Sequence, residues 1–138
     1  QMIDLQAESR TLDIGEITRL QRLKTGELIA FACEAGAILG GASDNAREAL
    51  RGYAHDLGLA FQIADDLLDV EGTAEEVGKA VNKDQNAGKA TFVSILGVEH
   101  ARTQAHRLAD QAISHLAPFG DNANLLSQAA RFVVERRS

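Results

Sequence analysis

The sequence predicts an all-helical fold. Apolar residues recur at three- and four-residue spacing along most of the chain, and no run reads as a strand. There is a single proline, Pro118, so nothing before it forces a helix to break. Alanine and leucine are abundant and only 4% of the 138 residues are aromatic, a balance that favours helix over sheet.

The elements follow in order. Gln1 to Glu8 reads as the end of an element already under way, so further sequence is expected upstream. A helix is predicted from about Asp13 to Leu39. Asp13 is its N-cap, with Glu16 three residues on in a capping-box pattern. Its apolar stripe is Ile17, Leu20, Leu28, Phe31, Ala35 and Ile38, and Gly40-Gly41 ends it. Ser43, Asp44 and Asn45 offer caps for a second helix to about Val70. That helix carries Leu50, Tyr53, Leu57, Phe61, Ala64 and Leu68. Glu71 to Lys89 is polar, holds Gly72, Gly78 and Gly88, and lacks periodicity. It is predicted to be a loop long enough to be functional. Helices resume at about Thr91 to Leu96, Glu99 to Leu116 and Asn122 to Arg136. Pro118-Phe119-Gly120-Asp121 separates the last two.

Charge narrows the classes of function. A net charge of −6, with no basic stripe, argues against nucleic acid as the main partner. Cys33 is the only cysteine, so no internal disulfide can form. It reads as a small core residue, and a cytoplasmic location is expected. The apolar stretch Leu28 to Leu39 is interrupted by Glu34 and is too short to span a bilayer, and no signal peptide opens the chain. His55, His100, His106 and His115 lack zinc-site spacing. No serine or cysteine nucleophile motif is present. Arg136-Arg137 reads as a basic tail that could complement the last helix's dipole.

The strongest chemical signal is Phe61-Gln62-Ile63-Ala64-Asp65-Asp66-Leu67-Leu68-Asp69. On a helix, Asp65 and Asp69 share a face one turn apart, with Gln62 and Gly58 on the same side and Asp66 at its edge. Gly58 leaves room beside that face. Like charges at this spacing repel, which destabilises the helix unless cations neutralise them. Magnesium suits them, being a hard ion that takes one or two carboxylates together with substrate phosphates. By itself the motif is weak and fits a solvated acidic patch better. Its apolar flanks, Leu67, Leu68 and Val70, weigh against mere surface decoration.

Only four lysines occur, and Lys79, Lys83 and Lys89 all fall in the predicted loop. Two of them follow glycine, in Gly78-Lys79 and Gly88-Lys89. Glycine lets backbone N–H groups approach an anion, and lysine supplies a point charge for phosphate. Glycine spacing rules out a Walker A loop. The fourth, Lys24, falls within the apolar stripe between Leu20 and Leu28, followed by Thr25-Gly26. Burying an unpaired ammonium is costly, so its side chain either snorkels to solvent or meets an anion.

Taken together, these segments resemble the trans-isoprenyl diphosphate synthases of the polyprenyl synthetase family, closest to the bacterial short-chain farnesyl diphosphate synthase (geranyltranstransferase) type. Gln62 with Asp65, Asp66 and Asp69 resembles the family's second aspartate-rich motif. Lys24-Thr25-Gly26 resembles its upstream Lys-Thr-Gly segment. Lys79, Asp84 and Gly88-Lys89-Ala90-Thr91 resemble its downstream basic loop. Gln1 to Glu8, with Asp4-Leu5, is similar to its Gly-Gln-x-x-Asp-Leu helix. The likeness spans essentially the whole chain, with the motifs in family order.

The resemblance implies a helical bundle around a central cavity, usually in a homodimer. Residues 1–138 would form the C-terminal portion of a single such domain. It implies Mg2+ as cofactor, with Asp65, Asp66 and Asp69 on one side of the metal site and Asp65 the foremost ligand. Lys24, Thr25, Gln62, Lys79 and Lys89 would contact an allylic diphosphate, Asp84 would orient the loop or a metal-bound water, and Phe61 would line the pocket for the hydrocarbon chain. Lys24, Lys79 and Asp65 would carry the catalysis, which joins isopentenyl diphosphate to the allylic diphosphate. The family's first aspartate-rich motif and its isopentenyl diphosphate-binding arginines are absent from this sequence. The isolated chain is therefore expected to be inactive. A further departure is Phe92-Val93, where the family often has proline. Two alternatives remain at this level: a terpene cyclase-like or non-catalytic protein of the same fold, and a helical interaction module with an acidic patch.

Overall fold

In a computed structural model, residues 15, 16, 19, 22–76 and 91–136 are described. Asp13, Ile17, Leu20, the 77–90 segment and with it Lys79, Asp84 and Lys89 lie outside the described residues. Those described form helices and no strand. Arg22–Gly26 makes a π-helical turn and runs into α1, Glu27–Leu39. Then come α2, Asp44–Glu76, the five-residue α3, Phe92–Leu96, and α4, Val98–His115. A 3-10 segment, Ala117–Ala123, leads into α5, Asn124–Glu135. None of the described helices is long and apolar enough to cross a membrane.

α1 and α2 are joined through a tight reversal at Gly40-Gly41. The Ala42 N–H donates to the Ala37 carbonyl and the Gly41 N–H to the Ile38 carbonyl, with Gly41 at φ 67°. This is the helix-ending pattern that calls for a left-handed residue, which glycine adopts without steric cost. Ser43 then caps α2, its Oγ accepting from the Ala46 N–H at 3.3 Å.

α2 has 33 residues, about 50 Å at the rise of an α-helix, and the other elements pack around it. Its Ala60, Ile63 and Leu67 meet Phe92 and Val93 of α3 and Ala101, Ala105 and Leu108 of α4. Tyr53 and Leu57 meet Ala112, Leu116, Ala123 and Ala130, with Ile29 and Cys33 of α1 packed alongside. The alanine stripe of α4 lets its backbone approach α2 closely. α3 begins with a capping box: Ser94 N–H donates to Thr91 Oγ1 at 3.1 Å, and Thr91 N–H to Ser94 Oγ at 2.9 Å. Phe92 and Val93 are buried in the core.

Three sequence expectations need correction. The first helix is not uniformly α: the π turn closes i→i+5 rings, so a 3.6-residue count carried through it loses register. Of the expected stripe, Leu28, Phe31 and Ile38 are 70%, 70% and 54% exposed. α1 instead turns Ile29, Cys33 and Ala37 inward. Both sides of α1 are apolar, and the Ile29, Cys33 and Ala37 side is the one packed against the other described residues. On that packed face, Arg47 and Arg51 of α2 reach Glu34, and their hydrogen bonds hold its carboxyl below the usual carboxylate range. Finally, α2 runs past Val70 to Glu76, so Glu71 is helical rather than the start of a loop. Glu71 is tied to Arg102 of α4 by an ion pair.

Tyr53 is 1% exposed and donates its hydroxyl to the Leu126 carbonyl of α5 at 2.9 Å. Burial, with a smaller contribution from Cys33, pushes its pKa up to about 12. The folded state thus holds this proton more tightly than the unfolded chain, whose phenol titrates near 10. The linked stability is fully present below pH of about 10 and is lost as pH rises towards 12. Tyr53→Phe should cost about 1 kcal/mol at neutral pH and flatten that alkaline loss, measured by urea denaturation across pH.

Candidate active site

Spacing puts Gly58, Gln62, Asp65 and Asp69 on one side of α2. Gln62 is buried, at 5% exposure. Asp65 and Asp69 are exposed, and Asp66 at the edge of the face is half-buried.

The space beside Gly58 is filled by the π turn. A Cβ placed on Gly58 would lie 2.9 Å from the Gly26 Cα, so the two backbones meet where only glycine fits. Gly58 precedes Asp65 by two helical turns, about 10 Å along the axis. The Lys24-Thr25-Gly26 segment thus ends against α2 about two turns before Asp65. Thr25 is half-buried there; the Lys24 side chain lies outside what is described. π turns occur often at functional sites, and nothing in the residue pattern announced this one.

The site has one member that sequence reading missed. Arg136, read as part of a basic tail, follows α5 directly and turns back onto α2. Its Nη2 donates to Asp65 Oδ1 at 3.4 Å. Its guanidinium carbon lies 4.6 Å from the centroid of the half-buried Phe61 ring, within cation–π range. Phe61 and Asp65, four residues apart, therefore present their side chains to the same cation.

Among the described residues, no three His, Cys, Asp or Glu side chains are grouped to hold a metal ion by themselves. Magnesium takes one or two carboxylates and completes its shell with phosphate oxygens and water, so a protein cluster of three is not required for it. Asp65 and Asp69 offer hard oxygen donors one turn apart. A groove of about 300 Å3 also opens between α1 and α2, lined by Gly26, Glu27, Glu34, Arg51 and His55 among others. Its two acids offset Arg51, so it lacks the positive excess that a diphosphate would need.

The profile of the polyprenyl synthetase family matches residues 1–125. The chain belongs to the polyprenyl synthetase family. Among its relatives, a dimethylallyltranstransferase from Fischerella ambigua (strain UTEX 1903) is 40% identical over 99% of this chain and 40% of its own length. A farnesyl diphosphate synthase from Escherichia coli (strain K12) is 38% identical over 99% of this chain and 47% of its own. An FPP/GFPP synthase structure from Zymomonas mobilis superposes with a TM-score of 0.81 at 50% identity, covering 96% of this chain and 43% of that one. The chain thus spans less than half the length of these polyprenyl synthetase relatives, and its helices reproduce part of the family's helical fold.

Proposed function

We propose that this chain is the C-terminal portion of a single polyprenyl synthetase domain and supplies one of the surfaces that grip the allylic diphosphate. The complete protein would join isopentenyl diphosphate to dimethylallyl or geranyl diphosphate, giving farnesyl or a similar short-chain diphosphate. It would act as a cytoplasmic homodimer. The observation that supports this reading is the Gly26–Gly58 contact, which brings the glycine end of a Lys-Thr-Gly segment onto α2 two turns before Asp65. The names of the relatives support the choice of substrates.

Each residue then has a physical task. Asp65, Asp66 and Asp69 present carboxylate oxygens, Asp65 being the foremost. Bound there, magnesium supplies positive charge where negative charge builds on the departing diphosphate. Lys24, Lys79 and Lys89 add point charges to the same group, and Thr25 and Gln62 add hydrogen bonds. Phe61 offers its ring to the hydrocarbon chain. The allylic C–O bond breaks, the isopentenyl double bond attacks the resulting cation, and a proton leaves to the released diphosphate. No protein nucleophile takes part.

The test is a melting experiment on the complete protein with Mg2+ and a non-reacting allylic diphosphate analogue. At a hundredfold excess over Kd, about 2.7 kcal/mol of stabilisation is expected, and it should require both components. No shift would favour an acidic-patch interaction module. The purified 138-residue chain alone should give no prenyl transfer. Transfer by that chain would refute this division of the site.

A further inference from the structure

We propose that Arg136 is a resident counter-cation for Asp65, which a divalent cation must displace, so that Arg136 sets the metal concentration at which the site loads. The inference rests on the reading of Asp65 as a metal ligand and adds to it a built-in competitor.

Three observations carry it. Arg136 comes from the far end of the chain, yet its guanidinium lies on the foremost acid of the motif. The Asp65 contact, at 3.4 Å, is long for a charge-assisted hydrogen bond, while the ring of Phe61 lies close beneath the guanidinium. The ring is therefore the firmer seat, and Arg136 can release the carboxylate without leaving Phe61.

The third observation is free space beside the Arg136 side chain. Together with Leu67, Leu68, Glu71, Arg102 and Val134 it lines a cavity of about 20 Å3, room for about one water. The guanidinium thus has space to reorganise into. With the site empty, it offsets the repulsion between Asp65 and the neighbouring acids. When a dication arrives at the same carboxylate, the two positive charges repel and the weaker contact yields. Phe61 then has two duties: it seats Arg136, and it borders the substrate pocket.

The experiment titrates the complete protein with Mn2+ in saturating inorganic pyrophosphate, reading free Mn2+ by electron paramagnetic resonance. Arg136→Gln should lower the half-saturating Mn2+ concentration about two- to fivefold, the scale of a partly exposed ion pair. Arg136→Lys keeps a charge within reach of Asp65 and should stay near the wild-type value. An unchanged or higher midpoint in Arg136→Gln, or a midpoint in Arg136→Lys lowered as far, overturns the competition. Asp65→Asn separates this from the underlying reading: if it binds Mn2+ as the wild type does, Asp65 is not a ligand at all. If it weakens binding while Arg136→Gln changes nothing, only the counter-cation role fails.

Discussion

Asp65→Asn in the complete protein is expected to lower the kcat of the proposed reaction by about 10²- to 10³-fold, the usual loss when one preorganised electrostatic contact to a developing charge is removed. Asparagine preserves the shape of the side chain and removes its charge. Stability should change little, because Asp65 is exposed and its one described ion pair, to Arg136, is long. The helix should even relax slightly, since one of the like charges spaced a turn apart is gone. Catalysis and stability therefore separate at this position. Steady-state kinetics at several Mg2+ concentrations, with a melting curve for each protein, would show it. A variant that keeps wild-type kcat at ordinary Mg2+ would remove Asp65 from the reaction.

The acidic face could be read from the sequence because helix geometry is local. Acids four residues apart share a face wherever the helix lies, and Ser43 caps α2 through an ordinary side-chain hydrogen bond. The Gly40-Gly41 ending was legible for the same reason. What failed was anything decided at longer range. Leu28, Phe31 and Ile38 have helical spacing, and so do Ile29, Cys33 and Ala37, so periodicity could not choose the buried face. Packing against α2 decides which side is covered among the described residues. The extension of α2 beyond Val70 is braced by Arg102, thirty-one residues from Glu71. Arg136 lies 71 residues from Asp65, where terminal basic residues give no local sign of a partner.

The second large effect is expected at Gly58, and its sign distinguishes a tight contact from simple helix propensity. In an open helix, replacing glycine with alanine gains about 1 kcal/mol. Gly36 of α1 is such a case, with no described residue within 4 Å of an added Cβ, and Gly36→Ala should stabilise by about that amount. At Gly58 the added Cβ would meet the Gly26 Cα at 2.9 Å. That neighbour is backbone and cannot swing aside as a side chain could. Overpacking of this kind costs about 1–3 kcal/mol, enough to cancel or exceed the propensity gain. Gly58→Ala should therefore be neutral to about 2 kcal/mol less stable, and Gly58→Leu worse still. The functional loss should run ahead of the stability loss. Separating α1 from α2 moves Thr25 and the Lys24 backbone away from the acidic face, and a displacement of about 1 Å can cost about a hundredfold in rate. Denaturant unfolding of the Gly36 and Gly58 variants side by side, with diphosphate-analogue binding by the complete protein, tests both halves. If Gly58→Ala matched Gly36→Ala in stability and bound the analogue normally, the close approach of the two backbones would not be what assembles the site.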